Sequence, residues 1–347
     1  MAKLSAPLTC ENNALLSSKS SLAMLLLGLT IVLLISMLLS ISIGVAGGSI
    51  GIVWKLFDKS ETLSAVEQII FELRVPRVLA ACLTGAAFAL AGAVMQAISY
   101  NQLADSGLLG INAGAGFMIS LSAVLFPSMG HYGNMAVAFL GAAVATIIVY
   151  GLGMGKRTQS PIRLILAGSA VAAFLTSLSQ GIALTFGLAK DLAYWSAGSL
   201  SGLSWIKLAV SSPWIVGAML GVSVLAPKLS VLSLGEDSAV GLGMNVNAVR
   251  AVGMVLVFLL AGVSVSLTGG IAFLGLMIPH IARFLVGPDY RRIVPVSMLC
   301  GAILLVLADL AARMIHAPFD TPVGALVSLI GVPFFLGLTY RRKDARL

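Results

Sequence analysis

The chain has 347 residues, 59% of them hydrophobic and only 10% charged, where ordinary soluble domains carry roughly 25% charged residues. That balance excludes a soluble globular fold and points to an integral membrane protein. The net charge of +8 does not imply nucleic acid, because the basic residues stand singly at the ends of apolar runs and form no patch.

In chain order, apolar stretches near the roughly 20 residues that a spanning helix needs fall at 22–45, 76–98, 106–126, 133–153, 161–186, 208–228, 249–268, 270–285, 293–313 and 322–340. No alternating strand pattern suited to an outer-membrane barrel appears. The expected fold is therefore all-α, a polytopic bundle of ten transmembrane helices. We treat residues 1–347 as one membrane domain, with a short tail at 1–20 and two inverted-related halves.

Leu8-Thr9-Cys10 precedes the first hydrophobic run, the reverse of the order a lipoprotein cleavage site requires. The run at 22–45 is too long for a signal-peptide core and lacks a small-residue cleavage site, so it should stay as the first helix. Residues 55–75 can form an external amphipathic helix, and the Tyr194-Trp195 pair within 190–205 is typical of a membrane interface. The eighth span is short and contains Pro279, which predicts a helix that breaks or stops early and leaves freed carbonyls facing protein or a water-filled path. Small-residue pairs such as Gly44/Gly48, Gly110/Gly114 and Gly217/Gly221 predict close helix packing.

An even number of spans puts both termini on one side. With the N-terminus inside, fourteen of the 21 Lys and Arg residues are cytoplasmic and seven, namely Lys55, Lys59, Arg74, Arg77, Lys190, Lys207 and Arg313, are external. This orientation satisfies the positive-inside rule and places both termini in the cytoplasm.

Several enzyme signatures fail. Gly155-Lys156 resembles a phosphate loop, but that pattern needs glycine where Tyr150 stands and serine or threonine where Arg157 stands, so the chain should not bind ATP by itself. Gly47-Gly48-Ser49-Ile50-Gly51 matches a serine-nucleophile pattern without its strand-turn-helix context, and His131, His280 and His316 lie in unrelated segments. Cys10, Cys82 and Cys300 are far apart with no metal-type spacing, and neither metal nor cofactor is expected. An ion-driven carrier would commonly hold ionisable groups in mid-membrane, whereas Asp105 opens the third span and Asp309 lies near the end of the ninth. Asp309 with Arg313 reads either as an i,i+4 pair at the membrane edge or as a functional group.

Arg74-Val75-Pro76-Arg77 leading into GAAFALAGAVMQ, then NQLAD with GLLGINAGAG, LSLGEDSAVGLGMNV, GGIAFLGLMIPHIAR, LLVLADLAAR and TPVGALVSLIGVPFFLGL, run in order from about residue 70 to the C-terminus. This succession resembles the FecCD family of binding-protein-dependent ABC importers, bacterial cytoplasmic-membrane permeases for ferric siderophores, haem and cobalamin. The resemblance implies ten helices, a second permease chain (homo- or heterodimer), two cytoplasmic ATPase subunits and an extracytoplasmic solute-binding protein. An iron-siderophore complex is the expected substrate, with haem or cobalamin as the alternative.

The resemblance also implies roles for particular residues. The inner loop at 229–248 would form two short helices that seat in the ATPase, using Gly235, Glu236, Asp237, Ala239, Leu242 and Gly243. Gly235 can terminate the preceding segment, Glu236 and Asp237 suit a positive helix N-terminus, and Ala239, Val240 and Leu242 offer an apolar face, while Gly241 and Gly243 permit a sharp turn. Arg74, Arg77 and Arg313 match positions where the family meets acidic residues of the binding protein, a role to which a planar, permanently charged guanidinium is suited. Thr158, Gln159 and Ser160 lie where the family narrows its path toward the cytoplasm, and an ordinary turn before Pro161 is the other reading. Gln102 stands where the family usually has proline, which predicts a less rigid loop between the second and third helices.

Overall fold

A computed structural model describes residues 19–43, 65–153, 161–317 and 319–344. Those residues are helical with short connections, and they contain no strand. Helix α1 is Lys19–Ser42. A short helix α2, Ala65–Ile69, runs through a π-helical turn, Ile70–Arg74, directly into α3, Val75–Ile98. A 3-10 turn, Ser106–Leu109, precedes α4, Ile111–Leu125, and then come α5, His131–Gly153, and α6, Pro161–Thr185. The short α7, Ala189–Ser196, leads to α8, Trp205–Leu232. After the short α9, Glu236–Gly241, follow α10, Val246–Thr268, α11, Leu274–Val286, α12, Tyr290–Ile315, and α13, Val323–Asp344.

Seven helices among the described residues are long and apolar enough to cross a membrane, and Ile111–Leu125, Leu274–Val286 and Val323–Gly337 are shorter apolar helices. They overlap the predicted apolar stretches, seven of which are thus long enough as helices to span. The described part of the expected external segment, 65–74, is helical, while residues 55–64 and the Gly44/Gly48 and Gly47–Gly51 motifs lie outside the described residues.

Helix α3 is the axis of the bundle. Its sequence is rich in alanine and glycine, so neighbours can close in on every side, and nearly all of it from Thr84 to Ile98 is buried. A Cβ on Gly85 would overlap the carbonyl oxygen of Gly301 in α12, and one on Gly92 would overlap that of Gly275 in α11. Gly114 of α4 and Gly141 of α5 are locked in the same reciprocal way. Of the glycines singled out by spacing, Gly114 makes such a contact, Gly221 faces only the flexible Leu256 side chain, and Gly217 faces open space.

Pro279 does not end the eighth span, because α11 continues through it to Val286. A proline there withdraws the amide that would bond the carbonyl four residues earlier, that of Gly275. Gln96 of α3 replaces it, with Nε2 donating to the oxygens of Gly275 at 3.4 Å and Leu276 at 3.3 Å. The freed carbonyl therefore faces protein, one of the two outcomes the sequence allowed.

Candidate functional site

Two charged clusters mark opposite ends of the bundle, since α3 begins in one and runs out beside the other. At the first end the π-helical turn and the start of α3 place Arg74 and Arg77 three residues apart. Arg77 Nε donates to Asp309 Oδ1 of α12 at 2.9 Å, while its Nη1 and Nη2 reach the two oxygens of Asp320 at 3.0 and 3.3 Å. Arg313, one turn beyond Asp309, lies 3.3 Å from Asp309 Oδ2, so the i,i+4 pair is present. Its Nη2 also donates to the backbone oxygen of Ser40 at 2.9 Å and to the Ser40 hydroxyl, and Arg74 Nη1 donates to the backbone oxygen of Ile41 at 3.2 Å. Two arginines thus close the C-terminus of α1, where carbonyls lack intrahelical partners and the helix dipole favours cations.

This arrangement changes how the three arginines can meet a partner. Arg74 and Arg313 are buried, at 7% and 8% exposure, and the Asp309 side chain is fully buried. Removing one member of such a buried pair costs about 3–5 kcal/mol. Asp320 is the open part of the network, with its side chain one-third exposed. Sequence reading did not single out Asp320, because its partner lies 243 residues away and no local pattern connects them.

At the other end, α8 terminates at Ser233, and Gly235 opens α9 with φ 114°, a conformation that favours glycine. One short helix forms where two were expected. After Leu242, Gly243 turns with φ 78°, Asn245 caps the next helix by accepting from the Ala248 amide at 3.0 Å, and α10 begins at once. Gly241 lies inside α9 and is not the turning residue. Ala239 is fully buried against the chain itself, so it offers no face to a partner. The exposed apolar residues around α9 are Leu234, Val240 and Leu242, at 69%, 58% and 69% exposure.

Glu236 is committed within the chain as well. Its carboxylate accepts from Arg250 Nη2 at 2.8 Å and Nη1 at 3.4 Å, and the Arg250 guanidinium lies 5.4 Å from the centroid of the Tyr100 ring. Burial pushes the Tyr100 phenol up, against the pull of Arg250, and the guanidinium over the ring face makes a cation–π contact. Glu236 is half exposed while its partner Arg250 is buried, so water screens the pair from the carboxylate side only. Deeper on the same side, Arg283 Nη2 meets Gln96 Oε1 and the Tyr290 hydroxyl, each at 3.2 Å. Asp289 starts α12 and is tied to α8 by Ser230, whose hydroxyl donates to Asp289 Oδ1 at 2.7 Å.

Between these ends, α4, α6, α7 and the 270–272 segment line an open-sided cavity of about 490 Å³. Asn112, Thr176, Ser179, Gln180 and Ser196 give it neutral polar groups, Trp195 gives it an aromatic wall, and its lining among the described residues holds no ionisable side chain. Trp195 packs against Gly116 beside this cavity. Most of α6 is uncovered, with Thr176, Ser177 and Gln180 exposed along it. Thr158, Gln159 and Ser160 lie outside the described residues. Cys82 and Cys300 are free thiols, and no His/Cys/Asp/Glu group suited to a metal ion occurs among the described residues.

Residues 32–341 match the family model described as the FecCD transport family. The chain is 44% identical over 309 residues to the iron(3+)-hydroxamate import system permease protein FhuB of Bacillus subtilis, covering 88% of this chain and 80% of that protein. It is 41% identical to the ferric enterobactin transport system permease protein FepD of Escherichia coli, covering 91% and 94%, and 36% identical to the hemin transport system permease protein HmuU of Yersinia pestis, covering 93% and 97%. A solved inward-facing structure of a chain described as a metal-chelate type ABC transporter superposes with a TM-score of 0.80 at 28% identity, over 92% of this chain and 99% of that one.

Proposed function

This chain belongs to the FecCD transport family, and on that premise we propose that it is the membrane-spanning subunit of a binding-protein-dependent ABC importer carrying an iron–siderophore complex across a bacterial cytoplasmic membrane. Chelated iron is the cargo, and the energy comes from separate ATPase subunits. A siderophore is preferred to haem because the relatives named for iron-hydroxamate and ferric enterobactin are more similar, at 44% and 41%, than the one named for hemin, at 36%.

The observation that carries the reading is the α9 tip. Leu234, Val240 and Leu242 stand exposed beside Glu236 and Asp237, where a helix turn of only six residues joins two long apolar helices. Apolar side chains mixed with carboxylates are poorly matched to lipid and well matched to a protein cleft. We assign this end to the cytoplasm, in line with the Lys/Arg asymmetry, and the tip to the ATPase. The Arg77 end is then extracytoplasmic. There a carboxylate of the binding protein would take Arg77 by displacing Asp320, while Arg74 and Arg313 hold α1 in place.

The exposed polar stripe of α6 supports a paired permease. Glutamine, serine and threonine in mid-span are costly against lipid and are tolerated facing water or protein. A second chain placed across α6 would enclose the cavity in a central path. An ion-driven mechanism finds less support, since Asp309 is bound by two arginines and is not poised as a proton relay.

Vesicles reconstituted with this chain, its ATPase and its binding protein should accumulate ferric hydroxamate only when ATP and both partners are present. Accumulation against a gradient by this chain alone would overturn the reading.

A further inference from the structure

We propose that Arg250 is a positioning residue for transport, through which displacement of α9 reaches the loop between α3 and α4. The inference rests on the reading of α9 as the ATPase contact and adds the route inward from it.

Three elements meet at this guanidinium. It belongs to the second turn of α10, it grips Glu236, the first residue of α9, with two nitrogens, and it lies over Tyr100 just past the end of α3. Among the described residues, the Glu236–Arg250 hydrogen bonds are the sole side-chain hydrogen bonds joining α9 to another element. Arg250 is 4% exposed, and its Nε is buried with no hydrogen-bond partner among the described residues.

Tyr100 is suited to receive the motion. Its φ of 52° lies in the left-handed region, which a bulky side chain adopts only when its surroundings impose it. From it the chain runs through Asn101, whose Oδ1 accepts from the Leu103 amide at 2.9 Å, to the buried Ala104. Asp105 then lies against Gly275 at the start of α11, and the 3-10 turn delivers Asn112 to the cavity wall. A shift of α9 toward or away from α10 therefore moves Glu236 and Arg250 together and presses or releases a strained residue. The loop behind that residue ends in the cavity.

The test uses the complete transporter in vesicles and measures solute moved per ATP hydrolysed, with ATPase co-purification measured in parallel. Arg250→Met and Tyr100→Leu should assemble and hydrolyse ATP, yet move about tenfold less solute per ATP, within the usual range for lost coupling between sites. Tyr100→Phe, which keeps the ring, should retain the unaltered ratio. Tyr100→Leu stands if Arg250→Met fails to fold. A normal solute-to-ATP ratio in Tyr100→Leu, or an equal loss in Tyr100→Phe, overturns the proposal. The underlying reading of α9 is judged separately by Leu242→Asp. If that variant keeps its ATPase, the reading falls; if it loses the ATPase while Tyr100→Leu stays coupled, only the present inference falls.

Discussion

Arg77 and Asp320 meet through both terminal nitrogens and both carboxylate oxygens, at 3.0 and 3.3 Å, while Nε of the same arginine is held by Asp309. The inner carboxylate is fully buried and the outer one is one-third exposed. One guanidinium is thus anchored to the bundle on one edge and covered on the other by an acid that a partner could replace.

Asp320→Asn should therefore raise binding-protein affinity by about two- to fivefold, the scale of a part-exposed ion pair. Arg77→Glu should lower it. Titration of the binding protein against reconstituted transporter reads both, and an unchanged or weaker affinity in Asp320→Asn would remove the exchange.

At the opposite end, Leu242 is 69% exposed and touches little of its own chain. Replacing it with Asp should weaken ATPase association about tenfold or more, as expected for an apolar interface anchor, and leave membrane insertion and thermal stability unchanged. Co-purification measures the first and a melting curve in detergent the second.

The Gly92–Gly275 crossing predicts a different kind of loss. Any side chain on Gly92 drives into the α11 backbone, not into a movable side chain. Gly92→Ala should lower stability by about 1–3 kcal/mol or more through overpacking, whereas Gly217→Ala, with open space around it, should melt with the unaltered chain. Equal melting of the two variants would contradict the packing described.

Gln96 and Pro279 are linked through one carbonyl oxygen. Gln96→Leu should cost about 1–3 kcal/mol by leaving the Gly275 oxygen unsatisfied. Pro279→Ala restores the missing amide and should reduce that penalty. A double-mutant cycle in a detergent melt would show non-additive losses, and strictly additive ones would mean that the Gln96 bond does not serve this carbonyl.

Filling the cavity should stop solute without stopping hydrolysis. Ser179 is 4% exposed and lines the wall beside Gln180. Ser179→Trp should reduce uptake in vesicles about tenfold or more, as expected for blocked access, while ATP hydrolysis continues. Normal uptake would place the path elsewhere.

Much of this protein can be read along the chain. The membrane class, the positions of the spans and the glycine that opens α9 all follow from local composition, because hydropathy and backbone preference act over a few residues to one helix length. The ordered family blocks located both charged ends. They did not show which side chains those ends leave free. Ala239 and Leu242 look alike in sequence as part of one apolar face, yet one is fully buried and the other exposed, because the direction of a six-residue helix is set by the helices beside it.

What the sequence determined by itself was therefore the solvent of the fold and the rough address of each charged segment, since burying an apolar helix in lipid needs no particular neighbour. Only the tertiary structure decided that Arg77 is shared by Asp309 and Asp320, that Arg74 and Arg313 close α1, and that Arg250 lies between Glu236 and Tyr100. These pairings join elements up to 273 residues apart. Charge attraction and hydrogen bonding act over a few ångströms, so they are fixed by which helices pack together and not by spacing along the chain.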